Sequence, residues 1–177
     1  PYSVRPELVE GACRLSRDHR LPVAFHLAES REEMQLLREG SGPFRELLER
    51  LDAWDPSVQH AGRRPLDFLE MLAGAERALV VHGNYLDEEE MAFVAERRDR
   101  MSVVYCPRTH AWFQHEPYPL ERMLAAGVTV ALGTDSRASS PDLNLLEELR
   151  AVARRHPQVP PATVLEMGTL AGGKALG

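Results

Sequence analysis

Four short apolar runs, separated by longer amphipathic stretches, set the rhythm of the chain. They are LPVAF (21–25), ALVV (78–81), MSVVYC (101–106) and VTVAL (128–132). Three are nearly continuous rather than alternating, the pattern of strands covered on both faces, as in a parallel sheet. The helix starts between them are readable. Ser30-Arg31-Glu32-Glu33 fits a capping box ahead of MQLLREG, and Asp87-Glu88-Glu89-Glu90 fits another ahead of MAFVAERR. Ser140-Pro141 supplies an N-cap and a proline at the first helical position before DLNLLEELRAVARR. PELVEGACRLSRDHR opens the chain as a helix, and PLERMLAAG forms a shorter one stopped by Gly127. A partly helical excursion over residues 40–65 lengthens the first unit.

One helix followed by four strand–loop–helix units implies a parallel sheet, either open and doubly wound or part of a barrel. No Gly-x-Gly-x-x-Gly follows a strand and no P-loop is present, so the usual grounds for a nucleotide-binding open sheet are missing. The 177 residues suffice for one domain with a sizeable core. A net charge of -6 without a basic stripe argues against a nucleic-acid surface. No apolar run approaches the roughly 18 residues of a membrane helix. No signal peptide opens the chain, and two cysteines make no disulfide framework, so the cytoplasm is the expected compartment. The chain begins Pro1-Tyr2-Ser3 and ends Ala175-Leu176-Gly177, neither resembling a natural terminus, and a piece of a longer protein is expected.

Each apolar run ends in reactive chemistry. The first leads into His26 with Glu29 beyond, the second into His82, the third into Cys106-Pro107-Arg108-Thr109-His110, and the fourth into Asp135. Barrel enzymes build their sites from residues at the C-terminal ends of several strands. His26 and Asp135 are donor types suited to a divalent metal such as zinc. Glu29 falls in the turn between strand and helix, where a carboxylate can shuttle a proton. His82 fits either a third metal ligand or a hydrogen-bond partner of the attacking water. The segment CPRTHAWFQHEPYP reads as a loop offering Arg108, His110, Trp112 and Phe113 to a substrate pocket. Cys106 reads as a small buried residue, and His19, His60 and His156 as surface histidines.

The motifs PYSVRPEL, VAFHLAES, VVHGNYL, VYCPRTH and GVTVALGTDSRASSPDLNLLEELR resemble the amidohydrolase superfamily. The resemblance is to the branch of methylthioadenosine/S-adenosylhomocysteine deaminases, guanine deaminase and triazine chlorohydrolases, and it covers essentially the whole chain. It implies a (β/α)8 barrel with one catalytic metal, zinc, with iron as the alternative. Residues 1–177 then supply roughly strands five to eight of that single barrel domain. By motif, His26 resembles the fifth-strand metal ligand and Asp135 the eighth-strand ligand, which also helps take a proton from the water. Glu29 resembles the deaminase proton-transfer glutamate, and His82 the sixth-strand histidine. Ser136, in the GTDS segment, joins Arg108, His110 and Trp112 as an expected substrate contact.

Two departures stand out. No His-x-His pair exists in this chain, so the chain by itself is expected to bind metal poorly. His110 stands where the deaminases usually carry asparagine. The expected activity is hydrolytic deamination of a nucleoside, purine or related heterocycle by metal-activated water, with Glu29 favouring amine release. Release of chloride or an alkylamine on the same scaffold, or an inert barrel fragment, are the alternatives. The expected partner is a small-molecule substrate, with no nucleic acid or membrane, in a homo-oligomer.

Overall fold

The computed structural model describes residues 1–58 and 61–177. His60, expected at the surface, lies outside the described residues. The elements run α1 (Pro6–His19), β1 (Pro22–Leu27), α2 (Arg31–Glu39), α3 (Pro43–Arg50), α4 (Pro65–Leu72), β2 (Arg77–His82), α5 (Glu88–Ala95), β3 (Met101–Tyr105), α6 (Pro107–Trp112), α7 (Leu120–Ala125), β4 (Val130–Leu132), α8 (Leu145–Arg155), α9 (Pro161–Met167) and α10 (Leu170–Leu176). The strands form one parallel sheet in the order β1-β2-β3-β4. Each strand therefore lies beside its predecessor, with helical connections between. All strands point the same way, so all their C-terminal ends gather at one edge.

The apolar runs explain the layering. Every residue of β3 is buried, as a nearly continuous run requires. β1 departs from that expectation. Phe25 and Leu27 face the helix layer and are buried, whereas Ala24 and His26 are exposed. Only one face of β1 is covered among the described residues. Phe25 stacks on Phe68 of α4, with ring centroids 5.8 Å apart. Phe68, Leu69 and Leu72 join Val80, Met101, Val103 and Tyr105 in one core cluster. Full burial of each such side chain is worth about 1.5–3 kcal/mol.

The helix starts are partly as read. α5 begins with the complete box: Asp87 Oδ1 accepts from Glu90 N and Glu90 Oε2 accepts from Asp87 N. At α2 only half forms. Ser30 Oγ accepts from Glu33 N at 3.1 Å, but the Glu33 carboxylate turns to the N–H groups of Ala28 and Glu29. α8 starts at Leu145 with Asn144 as N-cap, not at Ser140-Pro141. Ser140 Oγ donates instead to Asp142 O, and Arg108 binds the Asp142 carboxylate, so residues 140–144 are held outside the helix. The segment after β3 is not a plain loop: Pro107 occupies the first turn of α6, where its missing N–H costs nothing. His156 is not a surface residue. It caps α8, is buried, and places Nδ1 2.8 Å from Glu121 Oε1.

Candidate active site

Three strand ends turn through left-handed backbone without glycine: Ala28 at φ 54°, His82 at φ 74° and Asp135 at φ 56°. Such conformations cost on the order of 1–3 kcal/mol each and persist where the surroundings over-determine them. The surroundings do so here. Glu33 Oε1 accepts from Ala28 N at 2.7 Å and its Oε2 from Glu29 N at 3.0 Å. Asn84 Nδ2 donates to Glu29 O at 2.7 Å. The buried Tyr118 hydroxyl donates to His82 O at 2.8 Å. Ser139 Oγ donates to Asp135 Oδ2 at 3.0 Å and in turn meets Thr109 Oγ1 at 2.9 Å.

These bends bring His26, His82 and Asp135 together. One ligand atom of each lies within 4.8 Å of the others, the one such cluster of three among the described residues. His26 Nε2 stands 3.8 Å from Asp135 Oδ1, and the His26 and His82 rings are 5.0 Å apart. His82 Nε2 is buried and has no hydrogen-bond partner, although Glu29 Oε1 lies 3.4 Å away. Two imidazoles and a carboxylate, with the Nε2 of one imidazole buried and orphaned, fit a divalent metal.

The local field separates the roles of these groups. Burial, then the neighbouring Asp135 and Glu33 carboxylates, pushes the Glu29 carboxyl up to about 7. Burial, then His26, pushes the His82 imidazole down to about 4, so it is neutral at physiological pH. A cavity of about 550 Å³ opens beside Glu29, walled by Tyr2, Phe44, Tyr85, Phe113 and His115.

The other expected site residues are placed differently. Arg108 Nε is 2.5 Å from Glu148 Oε1, and its Nη2 is 2.7 Å from Asp142 Oδ1, so the guanidinium is engaged with the α8 region. Trp112 is 68% exposed. Ser136 is exposed, and its Oγ accepts from Ala138 N. His110 is buried and lines a separate cavity with His115 and Tyr118. Cys106 is buried, as read, and burial pushes its thiol up. Sequence reasoning missed Glu33, Tyr118, Thr109 and Ser139 as supports. Only Glu33 carried a local signal, its place in the capping box.

The pattern of the amidohydrolase family matches residues 1–177. The chain belongs to the amidohydrolase family. Among curated amidohydrolase relatives, the 5-methylthioadenosine/S-adenosylhomocysteine deaminase of Desulforamulus reducens is 31% identical over 184 residues, covering 100% of this chain and 38% of that protein. The aminodeoxyfutalosine deaminase of Deinococcus radiodurans is 30% identical, covering 100% of this chain and 44% of that protein. The chain thus spans about two fifths of the length of the curated relatives it matches. The crystal structure of Helicobacter pylori aminofutalosine deaminase superposes with a TM-score of 0.85 at 25% identity, covering 99% of this chain and 44% of that one. The zinc-bound adenosine deaminase of Xanthomonas campestris gives 0.76 at 29%, covering 99% of this chain and 37% of that one. The four strands and their helices are a portion of the amidohydrolase (β/α)8 barrel. No helix among the described residues is long and apolar enough to cross a membrane.

Proposed function

We propose that the chain is the C-terminal portion of a single barrel domain of a metal-dependent hydrolase that deaminates a nucleoside, purine or related heterocycle. The observation that carries the reading is the Glu29 carboxyl, 3.4 Å from the orphaned His82 Nε2, beside the His26–His82–Asp135 donor cluster. His26, His82 and Asp135 are the residues that would hold the metal. When bound, a zinc-like ion supplies a Lewis acid that brings the pKa of water to about 7.

The chain's own residues supply the rest. Glu29, with its carboxyl at about 7, is a comparable mixture of acid and base at neutral pH. One side chain can then take up a proton and deliver it to a leaving amine within a cycle. Asp135 keeps Oδ1 towards His26 while Ser139 fixes Oδ2, so a proton or cation meets one defined oxygen. His82 stays neutral and offers Nε2 to a ligand or to the developing tetrahedral centre. The aromatic walls of the cavity beside Glu29 suit a flat heterocycle.

The deaminase names of the relatives support this reading, with zinc the preferred metal and iron the alternative. A homo-oligomer in the cytoplasm is part of the same proposal, and the buried free thiols Cys13 and Cys106 accord with a reducing compartment. The test is ammonia release from a panel of purines, pterins and adenine nucleosides by the intact protein, with and without Glu29→Gln. Release abolished by the substitution supports deamination. Silence across the panel, with chloride released from a chlorotriazine, would favour the chlorohydrolase-like alternative.

A further inference from the structure

His110 takes no part in the site just described, and His115 touches it only as a wall of the cavity beside Glu29. α6 ends in a paired set of bonds, His115 N to His110 O at 3.3 Å and Gln114 N to Ala111 O at 3.2 Å, around Gln114 at φ 55°. This is a Schellman-type ending with glutamine where glycine is usual. It folds His115 back over His110, and the two rings come to lie 5.5 Å apart, tilted by 58°. Both rings line one cavity of about 320 Å³, along with Gln114, Tyr118, Arg155 and His156.

Each ring uses one nitrogen and leaves the other idle. His115 Nδ1 meets the Tyr85 hydroxyl at 3.4 Å, and that hydroxyl donates to Glu116, so Nδ1 carries the proton. The Glu116 main chain hydrogen-bonds the His110 ring. His110 Nε2 and His115 Nε2 are both buried without a partner, and His110 is only 6% exposed. His115, held at Nδ1 with a bare Nε2, has the form that metal-ligating histidines take, and His110 adds a second bare, buried Nε2. The spacing agrees as well. Two imidazoles sharing one ion through nitrogens at about 2.1 Å, at a tetrahedral angle, have ring centres roughly 5.3 Å apart. The His26–His82 pair of the candidate active site shows 5.0 Å.

We propose that His110 and His115 form a second site, for one divalent transition-metal ion of the imidazole-preferring class, distinct from the His26–His82–Asp135 cluster. With only two protein nitrogens it is the weaker of the two sites, and the cavity has room for water to complete the shell. Burial and the neighbouring imidazole keep His110 neutral, as ligation requires. Arg155 opposes a cation from the cavity wall, but it is exposed and its charge is screened. Glu121 and Glu116 offset it nearby, the former bound to His156 and the latter to Tyr85 and Arg31.

The experiment is calorimetric titration of the intact protein with Ni²⁺ alone, in the wild type and in His110→Asn, His115→Asn, Asp135→Asn and His19→Asn. The expected result is an added equivalent in the wild type that weakens at least tenfold in both the His110 and the His115 variants. It should survive in the Asp135 variant and in the variant of the exposed His19. Circular dichroism checks folding. His115 is only half-buried, so its variant carries the test if the His110 variant fails to fold. Absence of the added equivalent in the wild type, or its retention in a folded His115 variant, overturns the proposal.

Discussion

Glu33 holds the turn that carries Glu29, and replacing it with glutamine isolates that role. The carboxylate is 1% exposed and accepts two main-chain hydrogens, from Ala28 at 2.7 Å and Glu29 at 3.0 Å. Glutamine keeps the shape, but one of its two terminal atoms becomes a donor. One of the two N–H groups then faces another N–H in a buried turn whose Ala28 already sits at φ 54°. Hydrogen bonds to charged groups contribute about 1.5–3 kcal/mol. Burial pushes the Glu33 carboxyl up, so removing its charge relieves part of that cost. The net loss falls near the lower figure, about 1.5 kcal/mol, or roughly 3–6 °C in Tm for a domain of this size. Activity should suffer more than stability, because a misplacement of about 1 Å at a reacting group costs up to ~100-fold. The assay is kcat and KM for ammonia release together with a thermal melt. A tenfold or greater fall in kcat with KM little changed is expected. Glu39→Gln, on the exposed end of the same helix, should change neither. An E33Q protein with wild-type kcat and an unchanged melt would refute the reasoning.

Other outcomes follow from the same contacts. Tyr118→Phe leaves the His82 carbonyl without its buried donor and should cost about 1–3 kcal/mol in urea unfolding, with a lowered kcat. Gln114→Gly relieves left-handed backbone at φ 55° and should raise stability by about 0.5–1 kcal/mol, since glycine's extra freedom in the unfolded chain offsets part of the relief. His82 and His110 are both pushed down to about 4, by burial first and then by neighbouring imidazoles. Below the ordinary histidine value the unfolded chain takes up protons that the folded chain refuses, so their contribution is complete above pH 6.5 and lost as pH falls towards 4. Urea midpoints should therefore decline across that window, and less steeply in His110→Asn.

The order of elements was legible because both signals behind it are local. Continuous apolar runs mark covered strands, and Asp87 with Glu90 closes its box within one turn. His26, His82 and Asp135 were legible as candidates because parallel strands deliver their ends to one edge, and the structure brings the three within ligand reach. What sequence could not show was which partner each polar group finds across the fold. Ser140 and Asn144 both offer a cap, and Arg108 decides between them by pinning Asp142 from another element. The aromatic segment after β3 looked like a pocket loop, and Phe113 does line the cavity beside Glu29, but Pro107 starts a helical turn that sends Trp112 to solvent and buries His110 beside a second cavity. His156 looked like a solvated helix end and is buried beneath Glu121 and Tyr105. Glu33 gave a correct helix start with the wrong acceptor role, because the turn at Ala28 presents two stronger claims on its oxygens.

The central claim is that His26, His82 and Asp135 grip one divalent metal. Elemental analysis of the intact protein, wild type beside His26→Asn and Asp135→Asn, tests it most directly. About one equivalent of zinc or iron is expected in the wild type, falling below roughly a tenth in either variant while circular dichroism stays native. Metal retained in full by both folded variants would contradict it.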